Sequence, residues 1–111
     1  MQSPTRFSLA LPLLALGALT LATPSRAEDL DGAKLYVTKT CVACHGKDAK
    51  TPLLPIYPKL AGQSADYAFN QMSDIKSGAR NNGQTAAMKG VMHLVNEAEM
   101  RAIANWLASL Q

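Results

Sequence analysis

Two cysteines, Cys41 and Cys44, stand two residues apart, and His45 follows the second at once. Thiols at this spacing lie about one helical turn from each other, so both can add across the two vinyl groups on one side of a porphyrin and form thioethers. The imidazole of the next residue then comes under the iron and supplies one axial nitrogen. C-x-x-C-H is the attachment sequence of a c-type haem, and it implies one haem c bound through two thioethers, with His45 as an iron ligand.

Other uses of these residues explain less. A structural zinc site needs four nitrogen or sulfur ligands, and adding the only other histidine, His93, gives a set in which Cys44 and His45 are adjacent and strained. A thioredoxin-like pair belongs beside a βαβ pattern, and no strand alternation appears near Cys41. A plain disulfide suits an exported chain but gives no reason for the histidine.

Export is signalled separately. Arg6 precedes an apolar run from Phe7 to Ala22, and Ser25-Arg26-Ala27 is a small-x-Ala cleavage site, so residues 1–27 read as a cleaved signal peptide and residues 28–111 as the mature domain. The run is interrupted by Pro12 and Gly17 and is shorter than the roughly 20 residues that span a bilayer, so no stable membrane anchor is expected after cleavage. Haem c is attached outside the cytoplasmic membrane, so motif and leader agree on the periplasm. Cleavage leaves 84 of the 111 residues, a chain whose own apolar core is marginal unless a large apolar macrocycle completes it. Arg6 and Arg26 leave with the leader, so the whole-chain charge of +3 becomes +1, nine basic groups against eight acidic. That balance gives no footing for nucleic-acid binding.

The mature chain reads as all-α. A helical pattern over 31–40, with Leu35 and Tyr36 apolar, runs into Cys41. Residues 46–63 hold three prolines and two glycines and are expected to be loop. A second helix is predicted over 64–76, with Tyr67, Ala68, Met72 and Ile75 on one stripe, and Gly78 ends it. Asn81-Asn82-Gly83 marks a turn, and 85–95 is an irregular or short-helical stretch carrying Met88 and Met92. The last helix starts at Asn96, with Glu99 completing a capping box, and buries Met100, Ile103, Ala104, Leu107 and Leu110.

In this order of parts, residues 29–111 resemble the small soluble monohaem class I cytochromes c of bacteria. The resemblance also rests on Gly32 and Tyr36 in the first helix, on Ile103 and Trp106 in the last, and on Pro58-Lys59-Leu60-Ala61-Gly62-Gln63 followed by Tyr67, Gln71 and Gly78-Ala79-Arg80. It implies a fold of three main helices and loops wrapped around the haem, with the first and last helices crossing at the glycine-aromatic and aliphatic-aromatic pairs. It also implies that the Pro58 carbonyl accepts a hydrogen bond from Nδ1 of His45. Tyr67 and Asn81 or Asn82 are candidates to touch a propionate or the ligand sulfur, and Arg80 to pair with a propionate.

The second axial ligand separates a carrier, with a closed six-coordinate iron, from a haem that binds ligands. Met72, Met88, Met92 and Met100 offer thioether sulfur, and His93 a nitrogen. Met72 and Met100 fall on core-facing stripes where methionine is ordinarily filler. Met88, eight residues before the Asn96 cap, stands where the resemblance places the ligand, while Met92 is drawn toward the last helix. These readings imply a periplasmic single-electron carrier with His45 and Met88 on the iron, no catalytic residues, and transient redox donors and acceptors as partners. Lys47, Lys59 and Lys89 flank the haem-bearing segments and would steer them. A haem subunit of a larger oxidoreductase complex is the alternative, and a sensor or peroxidase with labile methionine a further one.

Overall fold

The computed structural model of the chain describes residues 8–23 and 26–111, so Arg6, Phe7 and Ser25, on which part of the export reading rests, lie outside the described residues. Residues 8–23 form neither helix nor strand and are exposed. No helix among the described residues is long and apolar enough to cross a membrane. A 3-10 turn at Ala27–Asp29 packs against the last helix and leads into the domain.

Five α-helices follow: α1 (Gly32–Thr38), α2 (Val42–His45), α3 (Ala65–Ser77), α4 (Thr85–Met92) and α5 (Glu97–Ser109). The Asp31 carboxylate caps α1 by accepting from the Lys34 amide at 3.0 Å. Thr40 then turns left-handed, at φ 69°, and redirects the chain into α2, the single turn that carries the cysteines. Ser64 caps α3 through the Tyr67 amide, and Gly78 ends it at φ 88° with its N–H on the Asp74 and Ile75 carbonyls. Asn96 and Glu99 form the full capping box of α5. The all-helical fold is as expected, and within the stretch read as irregular or short-helical, residues 85–92 form a regular helix one residue longer than α1. It is started locally, by the Thr85 hydroxyl and amide donating to the Asn82 carbonyl at 2.6 and 3.1 Å, and held by the buried Met92.

Helix α1 crosses α5 at Gly32, where a β-carbon would stand 2.2 Å from the Ala102 carbonyl oxygen and 2.7 Å from Trp106 Cβ. One turn on, the Tyr36 and Trp106 rings meet with centroids 4.9 Å apart, tilted by 47°. The expected partner Ile103 lies in the core beside this crossing, and Ala102 makes the closest approach instead, since residue 102 is the one that turns its backbone to α1. Helix α3 packs on α5, where the Arg101 guanidinium lies 3.9 Å over the Phe69 ring and meets Asp66 at 2.8 Å, and α4 packs on α3. Tyr36, Ile75, Met92, Val95, Met100, Ile103 and Leu107 make up the core between them.

Residues 47–63 contain no helix or strand, as the prolines require, yet they are tightly tied. The Asp48 carboxylate accepts from the amides of Lys50 and Thr51, both at 2.8 Å, and from the Thr51 hydroxyl at 3.0 Å. Ala49 is wholly buried, and its carbonyl accepts from the Leu60 and Ala61 amides at 2.8 and 3.1 Å. The Leu53 amide returns to the Cys44 carbonyl and the Gly62 amide reaches the Leu107 carbonyl, each at 2.9 Å. These bonds bring the proline-rich loop back over the single turn α2.

Candidate haem site

Helix α2 places Cys41, Cys44 and His45 on one turn, closed by the His45 amide on the Cys41 carbonyl at 3.0 Å. Gly46 stops it at φ 83°, where a β-carbon would lie 2.1 Å from the Thr51 carbonyl oxygen, so the exit from the turn requires glycine on two counts. The Tyr36 hydroxyl donates to the Gly46 carbonyl at 2.7 Å and so links α1 to the residue after His45. Burial, with smaller contributions from the charges of Cys41 and Asp48, pushes that hydroxyl up to about 12 and keeps it a donor.

His45 is 3% exposed, and its Nδ1 lies 2.9 Å from the Pro58 carbonyl oxygen. A carbonyl only accepts, so Nδ1 carries the proton and Nε2 keeps its lone pair for a metal. Burial pushes the Cys41 thiol up to about 11. Redox-active thiols are depressed rather than raised, so Cys41 is not an activated nucleophile.

All three motif residues line a cavity of about 550 Å³, within the size range of cofactor sites. The same cavity is lined by α3, through Tyr67, Ala68, Met72 and Ile75, and by α4, through Thr85, Met88, Val91 and Met92. The predicted α3 stripe thus faces this cavity, although Tyr67 is half exposed rather than core. Lys59 and Arg80 stand on the lining and no carboxylate among the described residues does, which suits the two propionates of a haem. The chain therefore fits the group: two thiols and an imidazole on one side, thioether sulfur across an apolar gap, and cations for the acidic edge.

The sixth-ligand candidates divide here. Met72, Met88 and Met92 line the cavity; Met100 is buried where α5 meets α3, off the lining, and His93 is exposed off the lining. Met92 is 1% exposed and belongs to the core, whereas Met88, one turn earlier on α4, is only partly covered by protein. Asn82 lines the cavity and Asn81 does not. Sequence reasoning passed over the Arg80 guanidinium's bond to the Gln71 carbonyl oxygen at 2.8 Å, which orients it. It also passed over the Tyr36 hydroxyl; both links join residues about ten positions apart, and neither has a local signature.

An all-helical domain with this cavity and this attachment turn is a haem-binding domain. The Cytochrome c family model matches residues 30–111. The chain belongs to the cytochrome c family, and its cofactor is one covalently bound haem c. It is 38% identical over 97 residues to cytochrome c4 of Pseudomonas aeruginosa, covering 87% of this chain and 45% of that protein. It is 33% identical over 110 residues to the thiosulfate dehydrogenase electron acceptor of Stutzerimonas stutzeri, covering 93% of this chain and 49% of that one. The crystal structure of reduced cytochrome c4 from Pseudomonas stutzeri superposes with a TM-score of 0.63 at 30% identity, over 72% of this chain and 46% of that. The chain spans about half the length of these relatives.

Proposed function

We propose that the protein is an exported, periplasmic single-electron carrier with His45 and Met88 as axial ligands to haem iron, Cys41 and Cys44 as its thioether anchors and Pro58 as the acceptor that orients His45. Bound haem supplies a one-electron change at iron; the chain transforms no substrate. The observation that carries this reading is the cavity itself, in which a buried imidazole with Nδ1 committed to Pro58 shares one apolar space with the partly covered Met88. A thioether on the second axial position favours ferrous iron and closes the site to exogenous ligands. Export rests on the leader-like segment 1–27 and on the chemistry of haem attachment.

Partners in this reading are redox proteins that dock briefly, through a small interface. Lys47 and Lys59 are exposed around the proline-rich loop, where Leu53, Leu54 and Ile56 are also exposed, and Lys89 is exposed on α4. An acidic, partly apolar partner face fits that combination, with an on-rate that salt lowers. Similarity to an electron acceptor of thiosulfate dehydrogenase favours a second reading as a haem subunit of an oxidoreductase; stable co-purification with a larger protein would select it.

A visible and near-infrared spectrum of the oxidised holoprotein tests the ligand pair. The unmutated protein is expected to show a sulfur-to-iron band. Met88→Ala abolishes it, lowers the potential and admits carbon monoxide to the ferrous form, while Met92→Ala keeps the band and loses roughly 2–5 kcal/mol of packing. The reverse pattern assigns the ligand to Met92, loss in neither points to Met72, and absence of the band in the unmutated protein favours His93 or an open site, the carrier reading falling if carbon monoxide then binds the ferrous form.

A further inference from the structure

The connector between α4 and α5 is gripped from three helices at three consecutive residues. The Leu94 carbonyl accepts from the Lys39 ammonium, which follows α1, at 2.9 Å. The Val95 carbonyl accepts from the Lys76 ammonium on α3. The Asn96 amide donates to the Glu99 carboxylate on α5 at 3.0 Å, and the other oxygen of that carboxylate meets Lys39 at 3.2 Å. These two carbonyls lie just past the His93 cap of α4, and positive charge beyond the C-terminal end of a helix also meets the negative end of its dipole.

The connector is in turn continuous with α4. The amides of His93, Leu94 and Val95 donate back to the carbonyls of Lys89, Val91 and Met92 at 3.2, 2.9 and 3.2 Å, so a grip on residues 94–96 restrains the whole two-turn helix. Met88 lies one turn inside it. Lys39, for its part, stands two residues before Cys41, so a single side chain joins the strand of backbone entering the haem-attachment turn to the end of the methionine-bearing helix.

We infer that Lys39 and Lys76 are positioning residues for the sixth ligand: by holding the Leu94 and Val95 carbonyls they keep α4 against the cavity and slow the departure of the Met88 sulfur from iron. The inference rests on the reading of Met88 as that ligand. It makes sulfur retention a property of a tertiary clamp rather than of the methionine alone.

The test uses the ferric holoprotein at neutral pH with imidazole as the displacing probe, following loss of the near-infrared sulfur band. Lys39→Met and Lys76→Met keep the apolar stem and remove the donor. Each is expected to accelerate displacement about tenfold, the factor implied by losing one hydrogen bond from a charged donor. Lys39→Arg, which keeps a donor, stays near the unmutated rate, and so does Lys50→Met, an exposed lysine that controls for the change in net charge. A lower melting temperature in the Lys→Met variants with an unchanged displacement rate overturns the inference, as does equal acceleration by Lys50→Met. Where a Lys→Met variant does not accumulate, hydrogen exchange of the unmutated holoprotein decides: amides of residues 94–96 exchanging no faster than sulfur leaves support the clamp, and faster exchange overturns it. Met88→Ala separates the two layers. If it abolishes the band while the lysine variants change nothing, the ligand stands and the clamp falls; if the band survives, the ligand assignment falls and the clamp with it.

Discussion

Replacing Gly32 by alanine tests the frame that holds the site together, and its sign is diagnostic. Gly32 is buried in the first turn of α1 with ordinary negative φ, so nothing in its own backbone calls for glycine. On helix propensity alone alanine would stabilise the protein, by up to about 1 kcal/mol. The neighbours argue the opposite. The added carbon would sit 2.2 Å from the Ala102 carbonyl oxygen, 2.9 Å from its carbonyl carbon and 2.7 Å from Trp106 Cβ, where ordinary contact begins near 3.4 Å. None of these atoms can swing aside by a rotamer change, so the helices must part by about 1 Å, an overpacking cost of about 1–3 kcal/mol. Separation also loosens the tilted Tyr36–Trp106 ring contact, about 0.5–1.5 kcal/mol. It strains the Tyr36 hydroxyl's bond to the Gly46 carbonyl as well, about 0.5–1.5 kcal/mol. These terms overlap, and a net loss on the order of 3 kcal/mol lowers the melting temperature of a domain this size by roughly 10–20 °C. Thermal melts of the holoprotein by far-ultraviolet circular dichroism measure it. An unchanged or raised melting temperature in Gly32→Ala would refute the close crossing, and Gly32→Val should be worse than alanine, not better.

Two further outcomes follow from the attachment turn and the loop beside it. Haem should stay with the protein through denaturation and acid-acetone extraction and add its mass in mass spectrometry, while Cys41→Ala or Cys44→Ala leaves at most one thioether and lowers the yield of folded protein; extractable haem in the unmutated protein would defeat covalent attachment. The Asp48 carboxyl is held below the usual carboxylate range, first by the Lys50 amide and then by the Thr51 amide, so it binds its proton less readily folded than unfolded. Its contribution is therefore present above the ordinary carboxylate value and is lost as pH falls through the depressed folded one. Urea midpoints between about pH 2 and pH 5 should fall less steeply for Asp48→Ala than for the unmutated protein, and parallel curves would show that the carboxylate is not coupled to folding.

What could be read without coordinates was whatever is local along the chain. C-x-x-C-H names its cofactor because thioether attachment needs two thiols and an imidazole at a spacing that one helical turn supplies. The Asn96 and Glu99 capping box, the glycine stop at Gly78 and the proline-rich loop are likewise short-range signals, and the structure has all of them. Helix α4 was less legible, since Thr85 to Met92 begins with a threonine turn and contains Gly90, and its regularity depends on burying Met92.

The choice among four methionines and a second histidine was a question of which side chains share one space, and periodicity along a helix does not answer it. Met72 and Met100 each lie on a helical stripe and Met88 in a stretch read as irregular or short-helical, and only the packing of α3 and α4 brings Met72 and Met88 to the haem cavity and leaves Met100 off it. The same holds for Ala102 displacing Ile103 as the closest partner of Gly32, for the Gln71 to Arg80 bond, and for the lysines that meet the α4–α5 connector from 19 and 55 residues away. Attachment chemistry is local and therefore written in five residues; the second ligand, its supports and the closeness of the helices depend on atoms that only the folded chain brings together.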